Sequence, residues 1–179
     1  MQFGNINSAD MTGGSRQTVK PGACVLTIDQ FDYKERDHKN PQDSGEGIFV
    51  HVTIKEHVDP TERPGSPRKI AFTGLDKAVK GPLQWGRIRE LLSVLFQIDV
   101  DTSTPGADVV QKHGMQGDLA AWFTARSWDG LVEYVMNNPE TFKGSIIRAD
   151  SFEKSTKSYN PDTKEPYKQR IWTFQPYTG

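Results

Sequence analysis

The most regular pattern in the chain is IFVHVTIK at 48–55, where Ile48, Val50, Val52 and Ile54 alternate with Phe49, His51, Thr53 and Lys55. Strict alternation puts the two sets on opposite faces of a strand, so a half-buried β-strand is predicted here. Before it, ACVLTIDQFDY follows Pro21-Gly22, is rich in β-branched and aromatic residues, and is closed by the polar run KERDHKNPQDSGEG. That reads as a strand and a long exposed loop. EHVDPTERPGSPRK, with three prolines and a glycine, is a second loop, and KIAFTG is a short third strand. The period then changes. In GPLQWGRIRELLSVLFQI the residues Leu83, Ile88, Leu91, Leu92, Leu95 and Phe96 fall at helical spacing, with Pro82 suited to the first turn. DVDTSTPGAD is a linker, and two short helices are expected around MQGDLAAWFTA and WDGLVEYVMNN, the second ended by Asn137-Asn138-Pro139. KGSIIRADSF and YKQRIWTFQPY return to strand pattern on either side of the loop EKSTKSYNPDTKEP.

Three strands, a helical section and two more strands is the order of the OB-fold. The expected fold class is therefore mainly β with a helical insertion (α+β): a five-stranded OB-fold Greek-key barrel with helices between strands three and four. A β-sandwich calls for more strands. The long loops Lys34 to Gly47 and Glu153 to Pro166 fall between strands one and two and strands four and five, where that fold keeps its binding loops. Residues 1–20, polar and centred on MTGGSR, read as a flexible N-terminal arm, and 21–177 as one domain with an insertion at about 99–140.

At 179 residues, 35% hydrophobic and 25% charged, the chain has the composition of one water-soluble globular domain. It holds no run of about 18 apolar residues and begins without a secretory pattern, so a cytoplasmic protein with no membrane role is expected. The lone cysteine, Cys24, excludes an internal disulfide and a Cys-based zinc cluster, and reads as a small buried hydrophobe. Net charge is −1, which argues against a uniformly basic surface. The charge is nonetheless divided: 61–100 and 141–179 each hold 7 Lys and Arg against 4 Asp and Glu, while 1–60 and 101–140 are acidic.

Residues 19–98 and 141–177 resemble the OB-fold single-stranded DNA-binding proteins of bacteriophages. The resemblance rests on a polar arm leading into VKPGACVLTI, the IFVHVTI strand, the helix GRIRELLSVL, and FKGSIIRADSFEKSTKSYNPDTKEPYKQRIWTFQP as a closing hairpin with a terminal proline. It implies a protein that coats single-stranded DNA in phage replication or recombination, in the host cytoplasm, without covalent chemistry, cofactor or metal. Other replication proteins and further copies of the chain are compatible partners. Many such proteins end in an acidic tail with a terminal aromatic; this chain ends QPYTG, which puts tail-mediated recruitment in doubt.

Sequence-independent binding of a single strand needs cations along the phosphates and flat side chains under the bases. Lys168, Arg170, Trp172 and Phe174 alternate and share one face of the last strand. Phe49 stands with His51 and Lys55 on the polar face of the second strand, where a large aromatic has no core role. Phe31 and Tyr33 end the first strand beside its loop, and Tyr159 and Tyr167 bracket the fourth-to-fifth loop near Lys154, Lys157 and Lys164. Two readings stand for the last strand: Trp172 and Phe174 face bases, or they fill the core and leave Lys168 and Arg170 at the barrel mouth. Trp85, Trp122 and Trp128 fall in helical segments and read as packing residues. Catalytic signatures are absent: there is no phosphate-binding glycine loop, HExxH or G-x-S-x-G. His38, His51, His57 and His113 are too scattered for a metal site, and Asp99 and Asp101 lack a third ligand. The alternative function is a phage structural or protein-interaction module that uses the same barrel face for a protein partner.

Overall fold

A computed structural model of the chain describes residues 16–43, 45–97 and 106–179; the side chains of residues 113, 118, 119, 122, 123, 126 and 127 also lie outside the description. Five strands form one antiparallel sheet: β1 (Cys24–Lys34), β2 (Gly47–His57), β3 (Pro67–Thr73), β4 (Ile146–Tyr159) and β5 (Pro166–Pro176). The helices α1 (Lys80–Phe96), α2 (Gly106–His113) and α3 (Gly117–Asn137) lie between β3 and β4, so the fold is mixed α+β and mainly β. Residues 1–15 of the expected arm, and Asp99 and Asp101, are outside the described residues.

The sheet order is β3-β2-β1-β4-β5. β1 is the hinge of this order, pairing with β2 along its whole length and with β4 through Cys24 to Thr27. Its register slips between Val25 and Leu26 and again between Ile28 and Gln30, which leaves Asp29 without an opposite residue. An extra residue of this kind bends a strand and reverses which side its later residues face. Before the slip Leu26 and Ile28 point into the core; after it, Phe31 and Tyr33 do. β2 has its own extra residue only at Lys55, past the alternating run, and Ile48, Val50, Val52 and Ile54 are all 1% exposed or less, as their alternation predicts.

The expected barrel is not closed. β3 and β5 are the outer strands and share no ladder among the described residues. Residues 17–19 run along the free side of β3 instead: Thr18 bridges Lys69 in parallel, the Val19 N–H donates to Lys69 O at 3.0 Å, and the Lys69 N–H donates to Gln17 O at 2.9 Å. The guanidinium of Arg170 on β5 donates to Val19 O, so this short segment stands between the two outer strands and Val19 is wholly buried. The end of the stretch read as an arm is thus fastened to the sheet. α1 packs on β5 and β3, burying Trp85, Ile88, Leu91 and Leu92. Leu83, expected on that stripe, is exposed, and Trp85 takes the inward position.

Two other expectations change. The two short helices are one 21-residue helix, α3, because AWFTARSWDGL contains no proline and its one glycine lies within the helix. The polar loop 153–166 is largely strand: β4 continues to Tyr159, and only Asn160 to Glu165 turn. Asn160 fixes that turn, its side-chain oxygen accepting from the Asp162 N–H at 2.9 Å and its carbonyl from the Lys164 N–H at 2.8 Å, with Lys164 at φ 57°.

Trp172 and Phe174 resolve into core residues, 2% and 9% exposed, stacked on each other at 5.8 Å between ring centroids, with Phe174 edge-on to Phe72 of β3 at 6.4 Å. Since the aromatic cluster rather than a ladder joins β5 to β3, Trp172→Ala should cost about 3–5 kcal/mol of stability. Urea unfolding followed by circular dichroism checks this; a loss under about 1 kcal/mol would mean that Trp172 is not a core residue.

Candidate nucleic-acid interface

β4 and β5 outrun the sheet. β1 covers β4 only as far as Ala149, whereas the β4–β5 ladder continues to Tyr159 and Pro166, so the outer half of the hairpin projects as a two-stranded ribbon. Antiparallel pairing sorts its residues into two faces. One carries Phe152 and Lys154 opposite Ile171 and Gln169, with Tyr167 two residues further on. The other carries Glu153 and Ser155 opposite Arg170 and Lys168, and at its inner end Ser151 and Trp172 sink into the core. Phe152, Tyr159 and Tyr167 are 57%, 63% and 49% exposed, three of the six large apolar side chains found exposed among the described residues.

The cations divide into those with partners and those without. Lys168 and Arg170 both meet Glu153, at 3.8 and 3.3 Å, and Arg170 is further committed to Val19 O. In the first loop Lys34 pairs with Asp43 at 2.9 Å and Arg36 with Asp76, which ties that loop to the start of the helical section. The Arg36 guanidinium holds the Asp76 carboxyl down at about 2. On β3 and α1, Arg68 pairs with Glu62, Arg87 with Glu90, and Lys69 lies over the Phe49 ring at 5.2 Å. Lys154, Lys157 and Lys164 are exposed and form no ion pair among the described residues.

The remaining candidates separate by burial. Phe49 is half-buried on the outer face of β2, and Lys55 is exposed beyond it. His51, expected beside them at the DNA-binding face, is 2% exposed and bonded through Nε2 to Asp32, and its Nδ1 has no partner among the described residues. It lines a cleft of about 400 Å³ with Arg16, Asp29, Thr53, Glu140 and Lys143, where Asp29 accepts from Arg16 at 2.8 Å and from Thr53 at 2.9 Å. Three candidate stacking residues are corrected to core: Phe31 at 1%, Tyr33 at 5% and Trp172 at 2% exposure leave no ring face for a base. Phe31 packs on Phe142 at 6.2 Å instead. The slip at Asp29 is the reason for the first two, because it turns them inward.

Phe152 is the residue that the sequence pattern did not single out. Ile147, Ala149 and Ser151 are buried and Arg148, Asp150 and Phe152 are exposed. The criterion that picks out Phe49, a large aromatic on the polar side of an alternating run, therefore picks out Phe152 too, once β4 is read past Phe152.

Cys24 is buried and its thiol is pushed up to about 12 by burial, with the charges of Asp150 and Glu62 adding to it. Among the described residues no three His, Cys, Asp or Glu side chains converge on a metal-sized site, and no helix is long and apolar enough to cross a membrane. No protein-family model and no curated protein sequence matches the chain.

The Tyr33 hydroxyl donates to the carboxylate of Glu46, itself 8% exposed, and burial raises the pKa of Glu46 above its ordinary value. The folded chain therefore holds that proton more tightly than the unfolded chain. The stability this contributes is fully present below the ordinary carboxylate range and is lost as pH rises through the raised value. Glu46→Gln removes the dependence. Between about pH 4 and pH 8, the urea midpoint of the wild type should fall relative to that of E46Q. Parallel curves would contradict the burial of a charged Glu46.

Proposed function

We propose that the protein binds single-stranded DNA without sequence preference, as a phage-type OB-fold protein that coats exposed strands in the host cytoplasm during replication or recombination. The observation that carries this reading is the β4–β5 ribbon, which holds three exposed aromatic rings and three lysines outside any ion pair among the described residues. Strand binding without base readout uses this pair of ingredients: lysines release counterions from the phosphates, and rings stack on bases of any identity. The OB-fold assignment is supported by β1 pairing with both β2 and β4, and by the helical section between β3 and β4. The open seam between β3 and β5, with residues 17–19 in it, departs from the closed form of that fold.

The ribbon is also where the reading differs from a protein-docking module. A face for a protein partner is depleted in lysine at its centre, whereas here Lys154, Lys157 and Lys164 share the ribbon with the three rings. Charge reversal at Lys168 and Arg170 is a poor probe, since both serve Glu153 and Arg170 holds Val19. Lys154, Lys157 and Lys164 are the informative set.

Titration with an oligo-dT of about 20 nucleotides, followed by fluorescence anisotropy of the labelled oligonucleotide, should give binding at 50 mM salt that weakens steeply by 200 mM. The triple variant Lys154→Glu, Lys157→Glu, Lys164→Glu should weaken binding at least ten-fold. It should also flatten the plot of log affinity against log salt by about 2, at roughly 0.7 for each phosphate that is no longer neutralised. Absence of wild-type binding at 50 mM salt would overturn the proposal.

A further inference from the structure

The geometry points to a single track for the strand, on the outer face of β4 and β5, rather than to the β1-β2-β3 face or to both sides of the ribbon. This inference rests on the single-stranded DNA reading above and specifies where on the protein that strand lies. The ribbon face that carries Tyr167, Phe152 and Lys154 does not end where the ribbon meets the sheet. The ladder places Phe152 against Ile171, Asp150 against Thr173 and Arg148 against Gln175, all on the side away from the core formed by Ile147, Ala149, Trp172 and Phe174. Arg148 is exposed and its guanidinium lies over the ring of Tyr177 at 5.8 Å. The same side therefore presents, in order, a tyrosine, a lysine, a phenylalanine beside an isoleucine, an aspartate beside a threonine, and an arginine on a second tyrosine. Cations and rings alternate along it as phosphates and bases alternate along a strand.

Two contrasts single out this side. The opposite face of the ribbon puts Glu153 beside Lys168 and Arg170, which engages both cations. The outer face of β1 and β2 carries Asp29 and Asp32, and two of its cations are taken up: Arg16 by Asp29, and Lys69 by the Phe49 ring. His51, on that same face, is buried against Asp32. On the β4–β5 track itself the acid is Asp150, set midway along it and opposite Thr173, beside a cleft of about 410 Å³ where Glu56 of β2 adds a second carboxylate and Arg148 and His57 stand with them.

The track has a definite length. From Tyr167 to Tyr177 the chain advances ten residues, or about 33 Å at 3.3 Å per residue. A stacked strand advances about 3.4 Å per phosphate, so the stretch between these two rings holds about ten nucleotides, and Lys157 and Lys164 lie beyond Tyr167 toward the ribbon tip. That lies within the range of roughly 4–16 per OB domain.

The test uses the full chain and oligo-dT of 4, 8, 12 and 16 nucleotides, with direct titration at about 50 mM salt. Affinity should climb between dT4 and dT8 and level off by dT12, apart from the statistical gain of extra registers. Phe152→Ala should lower dT8 affinity between about 5-fold and 150-fold, the range for losing one stacked base. Arg148→Glu should lower it several-fold and reduce the salt slope by about 0.7. Phe49→Ala and Lys55→Glu, on the other outer face, should stay within two-fold of wild type. All four positions are at least partly exposed, and matching thermal melts show that each variant is folded. If the wild type binds while the Phe152 and Arg148 variants retain wild-type affinity, the track is wrong and the broader reading survives. If the wild type does not bind dT16 at all, that reading falls and the track with it.

Discussion

One residue of slack in β1 sets most of the architecture. Because Asp29 has no opposite number on β2, the strand bends there, and its two halves serve different neighbours: Cys24 to Thr27 lie between β2 and β4, whereas the half beyond the slip pairs with β2 alone. The same slack turns Phe31 and Tyr33 inward, supplying the core with two large rings that strict alternation from Ile28 would have left outside. It also leaves a carboxylate on the outer face, and Arg16 and Thr53 are recruited to satisfy it. Bend, core filling and the charge of one surface follow from a single insertion in the pleat.

This explains which parts of the fold were legible in the sequence. β2 could be read residue by residue, because its alternation runs unbroken from Ile48 to Ile54. β1 could be recognised as a strand but not oriented, since nothing in TIDQFDY announces that the pleat skips at Asp29. The stretch 153–159 misled for a different reason. Its composition, EKSTKSY, is that of a loop, and it becomes strand because β5 pairs with it at Glu153 to Ser155 and again at Tyr159, across an irregular step at 156–158, a cause that lies outside the segment itself. The open seam was equally hidden: it depends on residues 17–19 reaching β3, and a polar segment of three residues carries no pattern that predicts such a docking.

The candidate site was legible in kind and misplaced in detail. Aromatic and basic residues do gather in the last quarter of the chain, but the rings nearest the core, Trp172 and Phe174, hold β5 to β3, while those further out are exposed. The division of charge along the sequence behaves likewise. Both basic stretches carry the same excess, but the fold uses it differently: in 61–100 Glu62, Glu90 and the Phe49 ring take up Arg68, Arg87 and Lys69 while Arg63 and Lys77 stay exposed, and in 141–179 three lysines of one hairpin form no ion pair among the described residues. Charge available to a partner is what remains after the fold has used its share, and a count of residues cannot show that remainder.

The clamp between Arg170 and Val19 joins residues 151 positions apart, and β1 meets β4 across more than a hundred. During synthesis, β1, β2 and β3 leave the ribosome well before β4 and β5 are made. Until then β1 has an open side and β3 lacks the aromatic cluster that Trp172 and Phe174 bring to it. Leu26, Ile28 and Phe72 therefore gain their full cover only when β4 and β5 join the sheet. Contacts so distant in sequence carry the loop-closure cost that slows folding.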